Sequence, residues 1–192
     1  MPNPLTFSVP HSVETPRLLL RSFREDDAPA LHDAIVESIA ELRSTLWALP
    51  WVDCEQTLEN ALVRCRQAQA NFLNRADLAY LAFEKSSGRL VGSIGLHRTD
   101  WELPRTEVGY WLRTSATGKG YAAEGVNALT SWAFERLGAV RVELVTDEAN
   151  MASRAVAERC GFILEGVHRS VRRGPDGSLR NRCIYARFPA VA

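Results

Sequence analysis

The stretch WLRTSATGKGYA, residues 111–122, joins a run that is typical of a strand to a run that is typical of a helix. Within it, Gly118 and Gly120 flank Lys119. Glycine tolerates backbone geometries and close approaches that a side chain would block, and the first N–H groups of a helix point towards a bound anion. The stretch therefore predicts an anion-binding loop, with a tight turn before an ordinary helix as the alternative.

Length and composition indicate one globular domain that spans residues 1–192. The chain is 46% hydrophobic, which is enough for a substantial core in 192 residues. Lys plus Arg and Asp plus Glu both number 23, which argues against a dedicated nucleic-acid-binding protein. We expect a cytoplasmic protein that does not enter a membrane, because neither a signal-peptide pattern nor a long uncharged run is present.

The four cysteines argue against a metal site. They are far apart in the sequence and form no CxxC pair, so neither a zinc site nor a redox motif is expected. We predict that they are reduced and mostly buried thiols. The residues are Cys54, Cys65, Cys160 and Cys183.

Hydrophobic periodicity predicts a mixed α/β domain of the α+β type. Seven strands are expected, at residues 16–22, 78–84, 89–97, 106–112, 140–146, 162–171 and 181–188. About four helices are expected to flank them, at residues 26–42, 53–73, 122–137 and 150–160. Short turns between neighbouring strands favour a mostly antiparallel sheet, and the helix after residue 112 provides the crossover to one parallel strand.

Several short motifs occur in this framework in the order that one family shows. The glycine loop follows the fourth predicted strand, and NMASRAVAERCGF, residues 150–162, follows the fifth. Over nearly its whole length the chain resembles the GNAT superfamily of acetyl-coenzyme A-dependent N-acetyltransferases. ETPRLLLR, EVGYWL and IYARF are similar to the RimJ/RimL group, which acetylates N-terminal amines of ribosomal proteins. The resemblance implies a sheet that splays open between its fourth and fifth strands, and direct transfer in a ternary complex without a metal.

The resemblance also implies the acetyl-coenzyme A site. The pyrophosphate loop of the family begins with Arg or Gln, and here that position is Ser115. Main-chain N–H groups and the helix dipole can still hold the phosphates, with added charge from Lys119 and Arg113. The implied contacts are Trp111, Leu112 and Arg113 along the pantetheine arm, Thr117, Gly118, Lys119, Gly120, Tyr121 and Ala122 around the phosphates, and Asn150 and Ser153 beyond them. As alternatives, the side chains of residues 110–112 belong to the core and Asn150 caps a helix.

The chemistry of the transfer needs a neutral amine and a stabilised leaving thiolate. An α-amine has a pKa of about 7.7–8.0 and a lysine about 10.4, so a carboxylate is a sufficient base for an N-terminal substrate. Glu107 is the candidate base, with a surface glutamate as the alternative and His168 in reserve. The resemblance implies that the hydroxyl of Ser153 assists the departing thiolate.

The acceptor is less well determined by the sequence. Trp47 and Trp51, in STLWALPWVD, are interpreted as substrate-binding residues, with packing between helices as the alternative. The expected acceptor is a protein N-terminus, and a ribosomal protein in particular. The alternatives are a small amine such as an antibiotic or a polyamine, and a non-catalytic coenzyme A-binding regulator. The oligomeric state stays open, a homodimer included.

A basic cluster lies near the predicted closing hairpin. It suits an acidic partner or ribosomal RNA, and a solvated surface is the alternative. Its members are Arg169, Arg172, Arg173, Arg180 and Arg182.

Overall fold

In the computed structural model, which describes residues 3–47 and 49–190, eight strands form one mixed sheet. The strands are β1 (Ser12–Glu14), β2 (Leu18–Ser22), β3 (Leu78–Glu84), β4 (Leu90–Asp100), β5 (Arg105–Leu112), β6 (Arg141–Asp147), β7 (Ile163–Arg173) and β8 (Leu179–Arg187). Their order across the sheet is β1-β2-β3-β4-β5-β6-β8-β7, in which β5 and β6 are parallel. The α/β fold class and the seven expected strands are confirmed. The eighth strand, β1, has three residues, too few to show an alternating pattern.

Five α-helices lie against the sheet in the described part of the chain. They are α1 (Ala28–Thr45), α2 (Pro50–Asp53), α3 (Leu58–Leu73), α4 (Tyr121–Arg136) and α5 (Met151–Arg159). The expected start of the second helix at residue 53 was wrong, because the Thr57 hydroxyl accepts a hydrogen bond from the Asn60 N–H and caps a later start. Within residues 3–47 and 49–190, no helix has the length and apolarity needed to cross a membrane.

The sheet separates two apolar layers, because alternate residues of a strand point to opposite faces. On the α4/α5 face, Ile94 of the sheet packs with Val126 and Leu129 of α4. On the α1/α3 face, Leu81 packs with Ile35 of α1. Each of these side chains is at most 1% exposed, and burying one such residue contributes about 1.5–3 kcal/mol.

The cysteines are free thiols, as expected. Cys65, Cys160 and Cys183 are buried, and Cys54 is exposed. Burial raises the pKa of the Cys65 thiol to about 11. The thiol therefore stays protonated at neutral pH and packs as a small apolar group.

Strands β5 and β6 separate after a short paired segment. Among the described residues their pairing covers three positions, from Arg105 opposite Arg141 to Glu107 opposite Glu143. Both strands then continue, to Leu112 and Asp147 respectively. The splay expected between the fourth and fifth predicted strands is therefore present. These strands are β5 and β6 here, because the additional strand β1 shifts the numbering by one.

The main chain of β5 presents a free edge to this gap. The Val140 N–H donates to the Pro104 carbonyl at 2.7 Å, so even-numbered carbonyls here face β6. The Arg113 N–H donates to the Val91 carbonyl at 2.8 Å, so odd-numbered groups face β4. By this alternation, the residues whose main-chain groups face the gap are Val108, Tyr110 and Leu112.

Candidate active site

The glycine loop connects a 3-10 turn at Thr114–Ala116 to the first residue of α4. Gly118 and Gly120 have φ angles of 74° and 81°, in the left-handed region that strains other residues. A Cβ built on Gly118 would meet no atom within 4 Å, so this part of the loop is open. The first N–H groups of α4 have no partner within their own helix. The loop thus has the form of the predicted anion site.

Arg17, just before β2, fastens this loop to the sheet. Its guanidinium donates to the Lys119 carbonyl at 2.8 Å and to the Glu124 carboxylate at 2.6 Å, and it lies 4.8 Å from the centre of the Tyr121 ring. Glu124 also accepts from the Thr15 hydroxyl at 2.6 Å. Arg17 was not singled out from the sequence. The sequence marks Arg17 only as a member of the motif ETPRLLLR. Its contacts could not be found from local patterns, because its partners lie more than a hundred positions away.

The other end of the loop is held by Glu37 of α1. The Arg113 guanidinium donates to Glu37 at 2.5 Å, and the Ser115 N–H donates to it at 3.1 Å. Hydrogen bonding by the Ser115 side chain is the largest influence that lowers the pKa of Glu37 to about 2, and the Arg113 guanidinium and the Ser115 N–H lower it further. Ser115 therefore anchors the loop, where the family has Arg or Gln. The charge of Arg113 is paired with Glu37, whereas Lys119 is exposed at the loop.

Asn150 and Ser153 lie at the start of α5, across the gap from β5. The Asn150 side-chain oxygen accepts a hydrogen bond from the Ser153 N–H at 3.0 Å, so Asn150 is the N-cap of α5. The Tyr110 hydroxyl donates to the Ser153 hydroxyl at 3.2 Å. Burial raises the pKa of Tyr110 to about 12, so this phenol keeps its proton at neutral pH. Sequence reasoning assigned Tyr110 to the core and did not find this contact.

Glu107 lies on the α1/α3 face of β5. Trp111 packs into that layer and Val108 into the opposite one, and Glu107 shares the parity of Trp111. Both carboxylate oxygens of Glu107 accept hydrogen bonds from the Arg98 guanidinium, one of them at 2.9 Å from Nε. The pair raises the pKa of Arg98. Glu107 is therefore held in a two-pronged ion pair beside an open cleft of about 230 Å³.

His97 of β4 lies next to Glu107 on the same face, because the two residues are opposite each other in the β4–β5 ladder. Its Nδ1 is 2.6 Å from a carboxylate oxygen of Asp77, which precedes β3. The ring edge lies over Gly95 and Gly109, themselves a cross-strand pair. A Cβ on Gly109 would come within 2.9 Å of the ring, and so would one on Gly95. Sequence reasoning did not select His97, although two glycines on neighbouring strands were a signal of space for a ring.

The two tryptophans have different surroundings. The ring centres of Trp51, in α2, and Trp111 are 6.1 Å apart, and the Arg64 guanidinium lies 4.5 Å from the centre of the Trp51 ring. These contacts agree with the alternative that Trp51 packs between structural elements. Trp47, in the connection after α1, lies 5.5 Å from the guanidinium of Arg172 on β7. That contact joins the α1–α2 connection to the closing hairpin.

The remaining candidates lie on the closing hairpin itself. His168 is exposed on β7, opposite Arg182 of β8. Arg180 pairs with Asp147 at 3.0 Å, so part of the basic cluster is neutralised within the protein. In residues 3–47 and 49–190, no group of three or more His, Cys, Asp or Glu side chains is arranged to hold a metal ion.

Comparison with known structures shows the same fold in two acetyltransferases. The microcin C7 self-immunity acetyltransferase MccE, solved with acetyl-CoA and AMP, has a TM-score of 0.84 at 21% identity, over 94% of this chain and 98% of its own. RimL, the ribosomal L7/L12 alpha-N-protein acetyltransferase, solved with coenzyme A, also has a TM-score of 0.84, at 24% identity over 92% of this chain and 97% of its own.

Sequence comparison extends this likeness to the family. The curated protein "Putative ribosomal N-acetyltransferase YdaF" of Bacillus subtilis is 30% identical over 152 residues, which are 79% of this chain and 81% of that protein. A family model described as "Acetyltransferase (GNAT) domain" matches residues 17–163. Because the match covers most of the chain, the protein belongs to the GNAT acetyltransferase family and is an N-acetyltransferase that uses acetyl-coenzyme A.

Proposed function

We propose that the protein acetylates the N-terminal α-amine of a protein, with a ribosomal protein as the first candidate. The main support for the proposal is the gap where β5 and β6 separate. The open anion loop lies on one side of this gap and the hydrogen-bonded pair of Tyr110 and Ser153 on the other. The ribosomal assignments in the names of YdaF and RimL support the class of acceptor.

The acetyl donor fits the gap in three places. Main-chain N–H groups of residues 118–122 hold the phosphates at the start of α4, whereas the Thr117 N–H donates to the Thr114 carbonyl at 3.2 Å. At the free edge of β5, the main-chain groups of Tyr110 and Leu112 pair with the pantetheine arm as an added strand would, whereas those of Trp111 and Arg113 face β4. Beyond it, Asn150 holds α5 so that Ser153 faces the reacting end.

The reaction then needs one group to take a proton and one to support the leaving sulfur. The amine nitrogen attacks the thioester carbonyl carbon, and the bond from that carbon to sulfur breaks. Ser153, itself hydrogen-bonded by Tyr110, donates to the thiolate as charge develops. Glu107 and His97, which are neighbours on the α1/α3 face, are the two candidates for accepting the proton of the amine.

The acceptor enters from the α1/α3 face in this proposal, next to Trp47 in the connection after α1 and Trp51 in α2. The adjoining cleft has a mixed lining of three acids and two arginines, which gives no strong attraction for a polycation. This favours a protein N-terminus over a polyamine or an aminoglycoside. The lining residues are Arg98, Asp100, Arg105, Thr106, Glu107 and Glu143.

The proposal is tested with a panel of acceptors under one set of conditions. The panel contains peptides with free N-termini, including those of ribosomal proteins, the same peptides with a blocked N-terminus and one lysine, a polyamine and an aminoglycoside. Thiol release and mass spectrometry of the product are measured for each. We expect acetylation of the free N-terminal peptides and little of their blocked forms.

Each other result points to a rival function. Faster turnover of the polyamine or aminoglycoside would assign a small-molecule acetyltransferase. Tight acetyl-coenzyme A binding without transfer to any amine would assign the non-catalytic regulator. Ser115 gives no support to that regulator, because its contact with Glu37 orders the loop.

A further inference from the structure

We propose that His97, held by Asp77, is the general base that takes the proton from the attacking amine. The inference rests on the proposed acetyl transfer and concerns one residue of its machinery. It assigns the proton transfer to a histidine and an aspartate that are 20 positions apart in the sequence.

The contact with Asp77 determines which ring nitrogen is the base. A carboxylate can only accept a hydrogen bond, so at 2.6 Å the Nδ1 of His97 carries the proton. In the neutral ring the lone pair is therefore on Nε2. The same contact fixes the direction of the ring and stabilises the imidazolium that forms when Nε2 takes a proton.

The position of Nε2 matches the site of the reaction. The ring edge lies over Gly109, and the next residue of β5, Tyr110, reaches Ser153 from the opposite face of the strand. The imidazole and the Tyr110–Ser153 pair therefore lie on opposite sides of β5 at adjacent residues. A thioester at the free edge of β5 would have the base on one side and the hydroxyl pair on the other.

Glu107 is less suited to receive the proton. Both of its oxygens already accept hydrogen bonds from Arg98, so protonation would break a two-pronged ion pair. Nε2 of His97 has no such competing charge to release. The His97 side chain is 30% exposed, which lets the proton pass on to solvent.

The charges around the ring favour a cation there. Asp77, before β3, contacts the ring, and Glu107 of β5 lies opposite it in the ladder. Glu143 of β6 is one strand further away and is paired with Arg141 at 2.7 Å. Arg98 on β4 opposes them, and Glu107 neutralises it. Because Glu107 is paired with Arg98 and Glu143 with Arg141, Asp77 is the acid that stabilises the imidazolium.

The step balances without a further reactant. The amine nitrogen forms its bond to the carbonyl carbon and loses one proton to Nε2 of His97. The bond from carbon to sulfur breaks, and its electron pair leaves on the thiolate, which Ser153 stabilises by a hydrogen bond. The thiolate takes a proton from solvent, and the imidazolium of His97 returns its proton to solvent.

The test compares His97→Gln, Asp77→Asn and Glu107→Gln with His11→Gln, which replaces an exposed histidine just before β1. Single-turnover transfer to an N-terminal peptide is measured with the dissociation constant for acetyl-coenzyme A and the melting temperature. We expect His97→Gln to lose about 10²- to 10⁴-fold in rate with an unchanged dissociation constant. Asp77→Asn should lose about tenfold or more and add little when combined with His97→Gln. His11→Gln should match the wild type.

Rescue separates a proton acceptor from a structural histidine. His97→Ala should recover activity when imidazole is added, and at a fixed free-base concentration more basic imidazoles should give faster transfer. A His97→Gln enzyme within about twofold of wild type, or His97→Ala without rescue, would overturn the assignment. If Glu107→Gln alone loses the rate, Glu107 is the base and acetyl transfer still stands. If the wild type transfers to no amine, the proposed function itself has failed.

Discussion

Removing the hydroxyl of Ser153 should slow acetyl transfer much more than it weakens the fold. In Ser153→Ala the developing thiolate loses one hydrogen bond from a neutral donor to a charged acceptor. Such a bond contributes about 1–3 kcal/mol in the transition state, which is about a five- to hundredfold loss in maximal rate. The ground state carries less charge on sulfur, so affinity for acetyl-coenzyme A should change little.

The expected loss of stability is small and has a different source. The structure assigns the cap of α5 to Asn150, so Ser153→Ala keeps that cap and removes the partner of the Tyr110 hydroxyl. One hydrogen bond of this kind contributes about 1 kcal/mol, or about 2–4 °C in melting temperature for a domain of this size. Asn150→Ala is the matched control, because it loses a cap of about 1 kcal/mol and keeps the Ser153 hydroxyl.

Melting temperature and single-turnover transfer should be measured on both variants and on Ser153→Thr, which restores a hydroxyl. We expect Ser153→Ala and Asn150→Ala to be similarly destabilised, with the larger rate loss in Ser153→Ala. Ser153→Thr should recover part of the rate. A Ser153→Ala enzyme that is destabilised but transfers acetyl at the wild-type rate would refute the role in leaving-group stabilisation.

Three further outcomes test the loop and its anchors. Gly120→Val should weaken acetyl-coenzyme A binding in calorimetric titration. Gly138 lies beyond α4 and has a similar left-handed φ of 65°, so Gly138→Val should lower stability without changing that affinity. Equal affinities of Gly120→Val and the wild type for acetyl-coenzyme A would reject the phosphate loop. Because the folded pKa of Glu37 is lowered from 4.5 to about 2, its stabilisation is present above pH 4.5 and is lost as the pH falls towards 2. The difference in unfolding free energy between wild type and Glu37→Gln should therefore shrink over that range, and a constant difference would contradict the ion pair. Arg17→Lys keeps the charge but loses the forked contact with the Lys119 carbonyl and the Glu124 carboxylate. It should therefore weaken acetyl-coenzyme A binding. An unchanged dissociation constant for acetyl-coenzyme A would show that the loop keeps its conformation without Arg17.

Several parts of the site follow from local sequence. Glycines at 118 and 120 predict the loop, because a left-handed φ is strained for other residues. Asn150 predicts the start of α5, because an Asn side chain can bond to an N–H three residues ahead. The alternation along EVGYWL predicts which residues of β5 share a face, although not what lies on each face.

Tertiary structure alone decided which distant side chains meet. Tyr110 and Ser153 are 43 positions apart, His97 and Asp77 are 20 apart, and Arg17 is more than a hundred positions from the loop that it holds. Local patterns report backbone preference and burial, which depend on neighbouring residues. Contacts between separate strands and helices depend on the register of the sheet and on where β5 and β6 part, and these are set by the packing of the whole chain.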